Sequence, residues 1–325
     1  MMQNTLSVQN LSVSLRTDSG YVPIVRDLSF DVRKGAALGI VGESGCGKSM
    51  TALAVMRLLP DSAQTSGSIM LEGNDLLQLS EGAMCAVRGA RIGMVFQEPM
   101  TALNPAHTVG KQIAEGLRLH KGLSSRAAIE EAGNLMDLVG IPNAGARLSD
   151  FPHQFSGGQR QRVVIAMALA CKPDLLVADE PTTALDVTVQ LQILELLEKL
   201  IADMGMSLIV ISHDLGVIGR LCDDVMVMYA GQAVEKGTVA DVFDAPSHPY
   251  TRGLFGALPE AQEDIGARLY TIPGVVPSPF ALPHGCKFAD RCGYVVPACR
   301  DAEPPLSPGK LGQLARCIKV PEVVA

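Results

Sequence analysis

No apolar run in this chain approaches the roughly 18 residues needed to span a bilayer. The opening stretch, MMQNTLSVQNLSVSLRTDSG, has no basic start followed by an apolar block, so it does not read as a signal peptide. Internal repeats, low-complexity tracts and heptad runs are missing too. An excess of positive charge is also lacking. The formal net charge is -7, which argues against nucleic acid as the main partner, because polyphosphate binding favours a basic face. Cysteine is sparse along most of the length: the first 285 residues hold only Cys46, Cys85, Cys171 and Cys222. These absences lead to the expectation of a cytosolic chain, where thiols stay reduced. In that setting the four cysteines crowded into the last forty residues read as metal ligands rather than disulfide partners.

What is present begins with bulk. At 325 residues and 47% apolar composition, the chain can bury a substantial core, as one large domain with an appendage or as two domains. LSVQNLSVSL and IVRDLSFDV alternate apolar and polar residues and read as strands of a partly exposed sheet. AALGIVG (36–42), DLLVADE (174–180) and MSLIVISHD (206–214) are continuous apolar runs, read as buried strands. Between the last two, leucines at 191, 194, 197 and 200, with Ile201, recur at helical spacing. Buried strands alternating with amphipathic helices predict an α/β fold with a largely parallel sheet. A helix-rich insertion is expected at about 100–158, and a proline-rich change of composition places a boundary at 257/258.

The run GESGCGKS (42–49) lies between a buried strand and a helical stretch that stops at Pro60, the context a phosphate loop requires. Gly42, Gly45 and Gly47 let the backbone approach phosphate closely. The helix N-terminus adds roughly half a positive charge. Lys48 reaches the outer phosphates, and Ser49 sets its hydroxyl on Mg2+. Ser44, Cys46 and Met50 complete the nucleotide-contacting run, with Cys46 read as a small filler. A glycine-rich turn before a helix is the bland alternative, disfavoured by the elements on either side.

LLVADE ends its strand on two carboxylates. Asp179 can hold Mg2+ through water, and Glu180 can activate an attacking water. His213, closing the next apolar run, is a candidate for the γ-phosphate. FSGGQRQR (155–162) adds a second anion-seeking helix start. Ser156 is a good N-cap, Gly157 and Gly158 open the helix, and Gln159 completes a capping box. If one ATP fills the first phosphate site, this second one is free for the ATP of a partner.

These residues together resemble the ATP-binding subunits of ABC transporters over nearly the whole chain. GESGCGKS looks like the Walker A loop, LLVADE like Walker B and FSGGQ like the signature, with Phe155 where the family more often has Leu. PTTALD looks like the D-loop, with Asp186 facing the partner. Gln97 looks like the Q-loop glutamine, a Mg2+ contact, and His213 like the switch histidine. Tyr21 is the nearest match to the family's adenine-stacking aromatic. The resemblance implies a P-loop (RecA-like) nucleotide-binding domain over 1–257, with an antiparallel β subdomain and the helical insertion. A small irregular cysteine-containing domain over 258–325 would follow.

VGESGCGKSMTALAVMRLLP, FQEPMTALNP, SHPYTRGLFGALP and IPGVVPSPFALPHGCKFADRC look like the dipeptide/oligopeptide/nickel importer branch. That branch implies a second ATP-binding subunit (a paralogue), two transmembrane permease subunits and an extracytoplasmic solute-binding protein. It also implies a place on the cytoplasmic face of the inner membrane. Peptides are the implied cargo, with nickel or another small solute as the alternative. Chromosome-maintenance ATPases share the motifs but separate Walker A from the signature by long coiled coils. Only about 107 residues lie between Ser49 and Ser156 here.

Cys286, Cys292, Cys299 and Cys317 are spaced C-x5-C-x6-C-x17-C, without the tight C-x2–4-C pair of most zinc sites. Some members of the branch resemble this tail and look to carry a [4Fe–4S] cluster on matching cysteines. Zinc, and plain buried thiols, stay open as alternatives.

Overall fold

The computed structural model describes residues 3–18, 20–183, 185–257 and 271–320. The expected boundary at 257/258 adjoins residues that lie outside the described ones. Twelve strands occur among the described residues. They are β1 (Asn4–Thr17), β2 (Gly20–Arg33), β3 (Ala37–Val41), β4 (Ala63–Leu71), β5 (Asn74–Asp75), β6 (Ile92–Val95), β7 (Leu175–Asp179), β8 (Ser207–Ile211), β9 (Asp224–Tyr229), β10 (Gln232–Thr238), β11 (Ser307–Pro308) and β12 (Leu314–Ala315). Compactness divides the chain into two units. One takes 3–6, 31–37 and 70–211; the other takes 7–30, 38–69 and 212–320. The tail segment 271–320 and the phosphate loop fall in the same compact unit.

In the first unit, β6, β7 and β8 run parallel, with Ile92 opposite Leu175 and Leu175 opposite Ser207. Every residue of these three strands is buried. A strand covered on both faces has no polar side to alternate, which is why the sequence shows continuous apolar runs there. The chain between β6 and the helix Gly157–Leu169 is mainly helical, with the longer helices Val109–Lys121 and Ser125–Leu138. Val109–Lys121 buries Val109, Ile113 and Leu117 at a four-residue spacing, which lays them along one stripe. Gly122 then ends the helix at φ 65.

The long helix Val187–Met204 follows β7 as expected. Ile193, Leu194, Leu197 and Leu200 are buried, whereas Leu191 is 46% exposed and Ile201 half-buried.

In the second unit, β2, β1 and β4 lie side by side. Their burial alternates, most clearly along the Leu11–Val13 stretch. Parallel β3 and β9 pair from Leu38↔Asp224 to Val41↔Val227. β9 then turns antiparallel into β10, and β10 into β12 of the tail, with Glu235↔Ala315 and Lys236↔Leu314. β11 pairs on β12 in turn.

Candidate functional site

The phosphate loop begins where buried β3 ends. Gly42 has φ 150, and a Cβ there would lie 2.2 Å from the Met228 carbonyl oxygen, so no larger residue fits. Gly45 has φ 80 and open space where a Cβ would be, which leaves the loop accessible from that side. The helix Lys48–Met56 follows directly. Lys48 is buried, and its Nζ donates to the carbonyls of Gly42 at 2.7 Å and Glu43 at 3.1 Å. Ser44, Gly45 and Ser49 are exposed and Met50 half-buried. Cys46 is fully buried, and burial pushes its thiol up from the ordinary cysteine range. It acts as filler, as the sequence suggested, and any nucleotide contact it makes is through its backbone.

His213 is exposed two residues past β8 and lines a solvent-open cleft of about 280 Å3 with Gly42 and Glu43. The same unit holds Tyr21, 48% exposed at the start of β2, as a stacking surface must be.

A second group of predicted residues is assembled in the first unit. Asp179 is the buried last residue of β7, and Glu180 follows at φ 48. That left-handed conformation costs a non-glycine residue about 1 to 3 kcal/mol and is held by surrounding contacts. The Glu180 N–H donates to the Ile211 carbonyl at 2.9 Å. Its Oε2 accepts from Gln97 Nε2 at 3.0 Å and from Thr183 Oγ1 at 2.8 Å. Gln97 and Glu180 are therefore brought together as the motif reading requires. Thr183 was not singled out from sequence, although it lies within PTTALD.

The FSGGQ segment forms the reciprocal cap that its sequence suggests. Ser156 Oγ accepts from the Gln159 N–H at 3.3 Å, and Gln159 Oε1 accepts from the Ser156 N–H at 3.1 Å. Phe155 is buried beneath the Arg147 guanidinium, 3.8 Å from the ring centroid. Ser156 and Gly157 are exposed at the helix start. A Cβ on Gly158 would lie 2.5 Å from Val189 Cγ1. Asp186 caps the helix Val187–Met204, its Oδ1 accepting from the Val189 N–H at 3.0 Å. This local capping role was not anticipated from the sequence.

The four tail cysteines line one narrow pocket of about 10 Å3, together with His248 and Phe288. All are unpaired thiols. Burial raises the thiols of Cys286 and Cys292, and raises that of Cys317 to about 11. Cys292 Sγ accepts from the Tyr294 N–H at 3.4 Å and Cys317 Sγ from the Lys319 N–H at 3.3 Å, contacts that favour a thiolate. Among the described residues, however, no three His, Cys, Asp or Glu groups converge as a single metal ion requires. The four thiols share a pocket without forming such a group.

Residues 25–183 match a family model described as ABC transporter. Residues 234–299 match one described as the oligopeptide/dipeptide transporter C-terminal region. The dipeptide transport ATP-binding protein DppD of Bacillus subtilis (strain 168) is 52% identical over 300 residues, 92% of this chain and 89% of that protein. A dimeric ATP-binding cassette solved in a post-hydrolysis state with ADP and Pi is similar at TM-score 0.64 and 25% identity, over 72% of this chain and 98% of that one. CbiO1 of Clostridium perfringens, part of the cbiONQ ABC transporter complex, is similar at TM-score 0.63 and 27% identity, over 74% and 91%.

Proposed function

The chain belongs to the ABC transporter ATP-binding family, and on that premise we propose that it energises the import of dipeptides and oligopeptides by hydrolysing ATP. The observation that carries the chemistry is Glu180, left-handed at the end of buried β7 and hydrogen-bonded to Gln97 and Thr183. A carboxylate fixed by two donors keeps its remaining oxygen lone pairs in one direction, as a general base for an attacking water must. The peptide cargo is supported by the match of residues 234–299 to the oligopeptide/dipeptide C-terminal region and by the similarity to DppD.

The residue roles follow from the chemistry of each group. Lys48 and the N–H groups of Gly42–Ser49 bind the β- and γ-phosphates. Ser49, Gln97 and Asp179 would hold Mg2+, which neutralises developing phosphate charge. Glu180 takes the proton of the attacking water, and His213 orients the γ-phosphate. Ser156, Gly157, Gly158 and Gln159 contact the ATP of a second ATP-binding subunit, near Asp186. ATP then holds the two subunits together, and hydrolysis releases them. Two permease subunits and an extracytoplasmic binding protein complete the assembly at the cytoplasmic face of the membrane. No helix among the described residues is long and apolar enough to cross a membrane, so the permease supplies the passage.

The tail, proposed as a domain over 258–325, would hold a [4Fe–4S] cluster on Cys286, Cys292, Cys299 and Cys317. The support is that the four thiols line one pocket; it stands against the finding that, among the described residues, no three His, Cys, Asp or Glu groups converge on a metal position, which weighs on iron and zinc alike. The cluster supplies folding energy to a segment with little regular structure.

Vesicles carrying the assembled transporter test the proposal. ATP hydrolysis should rise when binding protein loaded with dipeptide is added. Stimulation by nickel-loaded binding protein, with none by peptide, would overturn the peptide assignment.

A further inference from the structure

Glu43 is the first variable residue of the phosphate loop, and sequence reading gives it no role. In the structure each of its polar groups is engaged. Its N–H donates to the Tyr250 hydroxyl at 2.8 Å. Its carbonyl accepts from Lys48 Nζ at 3.1 Å and from the Cys46 N–H at 3.3 Å. Its carboxylate is gripped bidentately by one residue 248 positions away, Arg291, through Nη1–Oε2 at 2.7 Å and Nη2–Oε1 at 3.0 Å.

Arg291 is itself fixed. Its side chain is 5% exposed. Nε donates to the Pro273 carbonyl at 2.9 Å, and Nη1 also reaches the Tyr229 hydroxyl at 3.4 Å. It lies between Cys286 and Cys292, on the tail segment that also carries Phe288. Phe288 packs edge-on against Tyr229, with ring centroids 5.3 Å apart, and against Tyr250 at 5.5 Å. One short piece of the tail thus supplies both the guanidinium on the loop and the ring that backs the tyrosine holding the loop's N–H.

A buried guanidinium and a carboxylate in two parallel hydrogen bonds form one of the stronger and more directional contacts a protein makes. We propose that Arg291 is a positioning residue for the phosphate loop. By holding the Glu43 side chain it fixes the Glu43 backbone, and with it the carbonyls on which Lys48 Nζ is poised. The inference rests on the ATP-binding reading of this loop. It extends that reading by making the cysteine tail a structural part of the nucleotide site.

Charge alone would give a different pattern from positioning. Removing the Glu43 carboxylate beside a polyphosphate site relieves repulsion and would tighten nucleotide binding. Under the positioning role, Glu43→Gln must instead weaken it. The experiment is equilibrium binding of Mg·ADP to the full-length chain, with melting temperature recorded for each variant. Wild type, Glu43→Gln, Arg291→Gln, Arg291→Lys and the Glu43→Gln/Arg291→Gln double variant are compared. Each Gln single variant should weaken ADP by about tenfold, within the reach of one charge-assisted pair. The double variant should be no weaker than either, because both remove the same contact. Arg291→Lys, which keeps the charge and loses the fork, should fall between. Tighter or unchanged binding by Glu43→Gln, unchanged binding by a folded Arg291→Gln, or additive losses would overturn the proposal. If Arg291→Gln fails to fold, the sign of the Glu43→Gln effect still decides. Wild-type chain that binds no ADP would instead overturn the ATP-binding reading itself.

Discussion

Gln97 and Glu180, 83 positions apart, are joined by a hydrogen bond from Nε2 to Oε2 at 3.0 Å. Thr183 donates to the same oxygen at 2.8 Å. The two donors fix the orientation of the carboxylate, as a general base requires. Replacing Glu180 with Gln should therefore keep nucleotide affinity and lower steady-state hydrolysis by about 100-fold or more, the scale lost with a general base. The measurement needs an inactive site on the partner subunit, so that the partner's own turnover does not mask the loss. Full hydrolysis by Glu180→Gln would sink the assignment.

Thr183→Val tests the support rather than the base. It removes one neutral donor, so hydrolysis should fall by about three- to tenfold, with nucleotide binding unchanged. An equal loss in binding would mean that Thr183 touches the nucleotide instead of orienting Glu180.

At the signature helix the steric prediction is sharper than the chemical one. A methyl group on Gly158 would meet Val189 Cγ1 at 2.5 Å. Gly158→Ala should lower stability by about 1 to 3 kcal/mol in denaturant unfolding, the usual range for overpacking. Val189→Ala should restore part of that loss when combined with it. Additive losses in the double variant would show that the clash is not the cause.

His248 gives a pH dependence of defined sign. It is buried, and burial, with the nearby Arg316 charge, lowers its pKa from 6.5 to about 3. Between those values the unfolded chain binds the proton and the folded chain does not. His248 therefore supports stability fully above about pH 6.5 and loses that support as pH falls toward 3. The slope is at most about 1.4 kcal/mol per pH unit. Its Nδ1 also accepts from the Tyr250 N–H at 3.1 Å, capping the helix Pro249–Gly256. His248→Asn keeps a capping acceptor and cannot titrate, so its stability profile should be flatter between pH 6.5 and 4. An unchanged slope would place the acid sensitivity elsewhere.

For the cysteine pocket, anaerobic purification with iron analysis separates the readings. Ser at Cys286, Cys292, Cys299 or Cys317 should strip most of the iron and its visible absorption, whereas Ser at exposed Cys85 should leave both. Folded wild-type chain without iron would refute the cluster.

What could be read before the structure was mostly local. The buried runs 36–42, 174–180 and 206–214 carry their own answer, because a strand covered on both faces has no polar side. The Ser156–Gln159 cap spans four residues and needs only its own spacing. Along Val187–Met204 the helical spacing was legible, but not that Ile193 is covered and Leu191 exposed, because the two are equally apolar and only packing decides. Nothing within reach of Glu43 in sequence announces Arg291 or Tyr250, since the contact is created by the return of the tail. Asp186 lies between these cases: its capping position was visible, but the motif reading drew attention to its other face.

The strand pairing at the end of the chain has one more consequence. β12 covers β10 through Glu235↔Ala315 and Lys236↔Leu314, and the Arg316 N–H continues the ladder to the Val234 carbonyl at 2.8 Å. Without residues 307–320, β10 would present a row of unsatisfied amides and carbonyls, a template for another chain. Residues 307–320 thus guard against self-association, and a chain lacking them should fail first by clumping, before its chemistry can be measured.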